Sequence, residues 1–125
     1  MKMNVSVIMS AELASRTPAG DSENMRRTAE LHLALHERDL PFVPARGFYK
    51  GSEERSVVVL IDDSDDYDFV LALAFERFGQ ESVLVTDSNY VARFVYAKGG
   101  IERAGMMVKV DERLARSREG WTRIG

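Results

Sequence analysis

Residues 55–61 read Arg-Ser-Val-Val-Val-Leu-Ile, and this run constrains the fold more than any other. Its β-branched residues favour a strand, and apolar side chains at consecutive rather than alternate positions mean a strand covered on both faces. Such a strand needs neighbours on each edge and a layer packed above it.

The rest of the chain supplies them. Asn4 to Ser10 alternates well enough for a first strand. Ala11 to Ser22 contains Ser, Thr, Pro and Gly and reads as a loop of about a dozen residues, long enough to suggest function or motion. Asp21 or Ser22 can cap a helix over Glu23 to Asp39. A helical wheel puts Met25, Ala29, Leu31, Leu33 and Leu35 on one broad apolar face, with Arg26, Glu30 and Glu37 opposite. Pro41 and Pro44 end that helix. Phe42 to Tyr49 reads as an irregular strand, and Lys50 to Glu54 as the turn into the central one. A second helix, Asp66 to Phe78, is apolar almost all round, which predicts contact with the sheet on one side and a second subunit on the other. Gly79 ends it. Strands Ser82 to Thr86 and Tyr90 to Ala97 are joined through Asp87-Ser88-Asn89. Gly99-Gly100 makes another turn, Ala104 to Val110 suits a last strand, and Asp111 to Gly125 starts helical and ends loose. The order β-α-β-β-α-β-β predicts one α/β domain over residues 1–125. It is a two-layer sandwich with a mixed, mainly antiparallel sheet and two helices packed on it.

Composition removes several function classes. The 125 residues include no cysteine, so disulfides and thiolate metal sites are out. A net charge of −3 argues against a duplex nucleic-acid partner. No apolar run approaches the roughly 20 residues that cross a bilayer, and the first residues lack the pattern of a signal peptide; a cytoplasmic setting is expected. Of the 17 basic residues 13 are arginine, the side chain suited to bidentate phosphate recognition; a GC-rich genome would give the same bias.

Candidate sites are few. His32 and His36 have the i, i+4 spacing at which two imidazoles share a metal, but neither a cysteine nor a third histidine completes the set. Hydrogen-bonded or interfacial histidines are the plainer reading, and no metal or cofactor is expected. Asp62, Asp63, Asp65, Asp66 and Asp68 lack the glycine and glutamate of a calcium loop and suit a helix N-terminus. Ser10, Ser56, Ser82 and Thr86 sit in no nucleophile elbow, and Glu53-Glu54 reads as part of a turn. Arg26 and Arg27 can hold an anion near a helix start, with Arg55, Arg93, Arg103, Arg113 and Arg116 as further candidates. Phe78 and Tyr90 can stack on a base, and Asn89 can pair with a base edge. Surface, core or turn roles are open for each.

Four strings taken in order carry a family likeness. They are Asp21-Ser22-Glu23-Asn24-Met25-Arg26-Arg27 after the first strand, Gly47 to Ser56, Phe78-Gly79-Gln80-Glu81-Ser82-Val83, and Val95-Tyr96. The pattern resembles a group of small phage and bacterial proteins of unknown function, and the first-described Thoeris anti-defence sponges of phages, over residues 4–97. That resemblance implies a non-enzymatic immune-evasion protein in the host cytoplasm. It would sequester a cyclic ADP-ribose-type or cyclic oligonucleotide signal as a homo-oligomer with interfacial pockets. It places ligand contacts at Arg55, Phe78 and Asn89, with Arg113 or Arg116 from the tail, and a second, oligonucleotide site at Arg27 and Thr122. A protein–protein inhibitor presenting the Asp62 to Asp68 run is the first rival. A hydrolase built on His32, His36 and a metal is the second.

Overall fold

A computed structural model describes residues 2–13, 18–49, 52–106 and 120–124. The elements run β1 (Lys2–Met9), α1 (Pro18–Glu37), β2 (Phe42–Tyr49), β3 (Ser52–Asp63), α2 (Ser64–Ala72) with a π-helical turn at Leu73–Arg77, β4 (Ser82–Thr86), β5 (Val91–Tyr96), β6 (Ile101–Met106) and β7 (Gly120–Ile124). The seven strands form one sheet in the order β6-β5-β4-β1-β3-β2-β7. This is the expected two-layer α/β arrangement. The sheet is more regular than expected, since every registered pair among the described residues is antiparallel.

β3 lies between β1 and β2, as its doubly apolar sequence requires. Val57, Val59 and Ile61 point into the main core with Val7 and Met9 of β1 and Val83 of β4. Val58 turns to the opposite face and packs with Ile8 and Ala45. Leu31, Ala34 and Leu35 of α1, Val70 of α2, and Leu73, Ala74 and Phe78 close the main core. Leu31 and Leu35 are almost wholly buried, each contributing about 1.5–3 kcal/mol by removal from water.

Several boundaries differ from the sequence reading. α1 begins at Pro18 and not Glu23, because proline and small polar residues are tolerated in a first turn, where the N–H groups have no intrahelical partner. Its buried stripe follows i, i+3, i+4 through Leu31, Ala34 and Leu35. Met25 and Leu33, placed on that stripe by the wheel, lie on another side and are 56% exposed. The helix ends through Asp39, whose φ is +57°, with Leu40 N–H bonded to Leu35 O. β3 extends back to Ser52, so Glu53 and Glu54 belong to a strand and not to a turn. Gly79 ends the second helix with φ +64°, as expected. The strand expected from Ala104 begins earlier, at Ile101, and Gly120–Ile124 is a strand where a loose end was expected; the expected strand end at 107–110 and the helical start at Asp111 lie outside the described residues. Among the described residues no helix is long and apolar enough to cross a membrane.

Register decides which loops meet. Met9 pairs with Val57, and Ile8 with Leu84, so the end of β1, the start of β3 and the start of β4 share one end of the sheet. The opposite end holds Asp63, which pairs with Lys2, and the β4–β5 turn, since Thr86 pairs with Ser6.

Candidate functional site

Where β1 gives out, four residues without regular structure, Ser10 to Leu13, cross between β3 and α1. Ser10 Oγ donates to Arg55 O at 2.7 Å and accepts from Glu12 N–H at 3.0 Å. Asn24 on α1 is buried and holds Leu13 from both sides, accepting its N–H at 2.7 Å and donating to its carbonyl at 2.9 Å. Arg27 donates to Ala11 O and to Phe78 O, each at 2.6 Å. Gln80 donates to Glu12 O at 3.1 Å and to Phe78 O at 3.3 Å.

This scaffold presents Glu12 to Arg55. The carboxylate is 9% exposed and accepts from Arg55 Nη1 at 2.7 Å, a charge-assisted bond. Arg55 Nη2 donates to Asp21 at 3.2 Å. Around this pair is a cleft of about 190 Å³ lined by Glu12, Asp21, Asn24, Arg46, Glu53, Glu54 and Arg55. Four carboxylates against two guanidiniums leave it with a formal charge of −2. Glu54 keeps solvent at the cleft mouth, yet burial by surrounding atoms and then the charge of Glu12 push its pKa above the ordinary carboxylate value. The hydrogen bond to Glu12 raises the Arg55 pKa further, so this group stays a cation. The cleft is smaller than the roughly 300–1,000 Å³ of a whole-ligand pocket and suits one charged end of a larger molecule. A wider groove of about 450 Å³ runs between the helices past Ala34, Arg38, Phe69 and Arg77. Its carboxylates, Glu37 and Glu76, balance its guanidiniums, Arg38 and Arg77, so it carries no net formal charge.

Of the residues singled out from sequence, Arg55 is at the centre. Arg27 stands behind it, with its guanidinium on two backbone carbonyls. Phe78 is 2% exposed, a core ring with Arg27 and Arg77 5.4 and 5.3 Å from its centroid; its carbonyl, not its ring, serves the site, by accepting from Arg27 and Gln80. Asn89 lies in the β4–β5 turn at the other end of the sheet, its N–H on Asp87. Thr122 pairs with Gly47 through β7. Arg113 and Arg116 lie outside the described residues. Asp63 of the acidic run caps α2 by accepting Asp65 N–H at 3.3 Å. His36 is exposed, whereas His32 is half-buried against Phe42 with an unpartnered Nε2. No three potential metal ligands cluster among the described residues.

Glu12, Asp21 and Asn24 were missed because all three fall in or beside the segment read as a loop or a cap. Their signal was a polar cluster directly after an apolar strand, the position where strand ends present side chains to a ligand. Glu54 was passed over as a turn residue.

No curated protein matches the chain. The sequence profile of the S-Adenosylmethionine lyase family matches residues 7–125, spanning β1 through β7. That family is named for an enzymatic activity, which corrects the expectation of a non-enzymatic protein. On a match of this extent, the chain belongs to the S-adenosylmethionine lyase family.

Proposed function

We propose that the chain takes S-adenosylmethionine at the Glu12–Arg55–Glu54 cleft and breaks one of its carbon–sulfur bonds without water. The observation that carries this reading is the excess of carboxylates over guanidiniums in the cleft, four against two. S-adenosylmethionine presents an ammonium, a sulfonium and a carboxylate at one end, and an adenosine at the other. The acidic cleft matches the two cations. The Arg55 fork has five N–H donors, of which Glu12 and Asp21 engage two, leaving others for the substrate carboxylate. A pyrophosphate, itself an anion, would be repelled by the same −2 field.

The departing sulfur leaves as a neutral thioether and needs no proton, so no general acid is required. Glu54, whose pKa burial and the charge of Glu12 raise above the ordinary carboxylate value, is the carboxylate placed to act as a base. If its carboxylate removes the proton on the carbon next to the breaking bond, the products are methylthioadenosine and an unsaturated amino acid. If the substrate's own carboxylate closes on the carbon bearing sulfur, the second product is a lactone, and the cleft only holds and aligns the reacting groups.

The test is to incubate the purified chain with S-adenosylmethionine and resolve both products by chromatography. Release of methylthioadenosine is expected, with Glu54→Gln lowering kcat/KM by about 10²-fold as for loss of a general base while the melting curve is unchanged. An unaltered substrate pool would refute the reading. Retention and heat release of an intact cyclic ADP-ribose isomer under the same conditions would put sequestration in its place.

A further inference from the structure

Neither Arg27 nor Gln80 lines the cleft, yet both act on the residue that dominates it. The Ser10 to Leu13 strap has no strand or helix partners, so side chains must satisfy its backbone. Ser10 takes Glu12 N–H, and Asn24 takes both groups of Leu13. Of the strap's other carbonyls, Ala11 O goes to Arg27 and Glu12 O to Gln80. Each of these donors also reaches Phe78 O. The strap is therefore tied at two points to one carbonyl at the end of the π turn. That carbonyl is itself placed by Phe78 N–H on Leu73 O at 3.1 Å and Gln80 N–H on Ala74 O at 2.9 Å. π turns recur at functional sites.

We infer that Arg27 and Gln80 are positioning residues: they clamp the Glu12 backbone to the π turn, and so set its carboxylate against Arg55 and Glu54. The inference rests on the cleft being the reacting site proposed above. It assigns Arg27 a role other than ligand contact. The charges that Glu12 and Glu54 meet come from Asp21 on α1, Arg46 on β2, and Glu53 and Arg55 on β3. None of these belongs to the clamp. Loosening the clamp moves Glu12 without altering the net charge of the cleft.

The experiment uses Gln80→Met and Arg27→Met in the full chain, each removing the donors at similar length. A carboxyl carbon NMR titration follows Glu54 in the absence of substrate, and steady-state kinetics follow S-adenosylmethionine. With the folded state verified by melting, the Glu54 pKa is expected to fall toward its ordinary value in both variants. The expected kinetic effect is a kcat loss of about tenfold or more, the scale set by small misplacements of reacting groups, with KM moving far less. The acidic limb of the pH–rate profile is expected to shift to lower pH with the Glu54 titration. A role limited to stability would lower the melting temperature and leave the titration and the kcat of the folded fraction alone; that result overturns the inference. Either variant suffices should the other not fold. If the native chain leaves S-adenosylmethionine intact, the proposed reaction fails, while the titration still decides whether the clamp sets Glu12.

Discussion

Replacing Arg55 with methionine tests whether the cleft is assembled before any ligand arrives. Glu12 would keep its place at 9% exposure and lose the charged hydrogen bond from Arg55, held at 2.7 Å. Removing one member of a fully buried ion pair costs about 3–5 kcal/mol. Here the Arg55 side chain is 42% exposed, so water screens the pair and part of that cost disappears. The expected loss is about 1–2 kcal/mol, near the value of one charged hydrogen bond. The second partner, Asp21, is 61% exposed at 3.2 Å, and its share should fall below about 0.5 kcal/mol. Equilibrium unfolding in urea of Arg55→Met, Glu12→Gln, Asp21→Asn and the two doubles separates these terms. The Arg55–Glu12 coupling should come out near 1 kcal/mol and the Arg55–Asp21 coupling near zero, with unchanged m-values. The double Arg55→Met/Glu12→Gln should be more stable than the two single losses added together, since it leaves no charge stranded. Equal couplings for the two acids, or none for Glu12, would refute the idea that this pair organises the cleft.

His32 supplies a pH prediction. Burial lowers its pKa below the 6.5 of an ordinary histidine, and its Nε2 has no partner among the described residues, so the unfolded chain takes up the proton first. Stability is then full above the unfolded pKa, falls as pH drops through it, and levels once the lower folded pKa is passed. His32→Phe should flatten that part of a urea-unfolding series across pH; an unchanged slope would exonerate the imidazole. Glu23 and Asp87, lowered first by hydrogen bonds from Arg26 and Arg93, act only in the more acid carboxylate range. Loss of the α2 cap in Asp63→Ala should cost about 0.5–1 kcal/mol, the low end for caps because the bond is 3.3 Å. Asp63→Ser should recover most of it, and equal stability of all three chains would remove the cap from the account.

The layers and most elements were legible in the sequence because they follow from local chemistry. The doubly apolar 55–61 run fixed the inner strand, and Gly79, the one residue type at home at φ +64°, marked the helix end. Face assignment on α1 was not legible. Met25, Ala29 and Leu33 form as good a stripe on paper as Leu31, Ala34 and Leu35, and only packing against the sheet chooses between them. The site was half legible. Two of the four strings, 47–56 and 78–83, do converge at one end of the sheet, where Arg55 and Gln80 both meet Glu12. What joins them is the Ser10 to Leu13 strap, whose hydrogen bonds span up to 68 positions in sequence and so leave no local pattern.

The arginine bias that suggested a phosphate ligand has a different meaning in the folded chain. Arg26 pairs with Glu23 and Glu30, Arg38 with Asp66, Arg46 with Glu53, Arg77 with Glu30 and Arg93 with Asp87. Arg38 additionally stacks on Phe69 at 4.5 Å, and Arg27 is committed to two carbonyls. Each of these guanidiniums already faces an acceptor, so an incoming pyrophosphate would have to displace a carboxylate or a backbone group to reach one. A cationic ligand faces no such exchange at the cleft, where carboxylates outnumber guanidiniums and Glu54 holds its proton more tightly than an ordinary acid. Entry of a positive group would relieve the Glu12–Glu54 repulsion and lower the Glu54 pKa toward the ordinary carboxylate value.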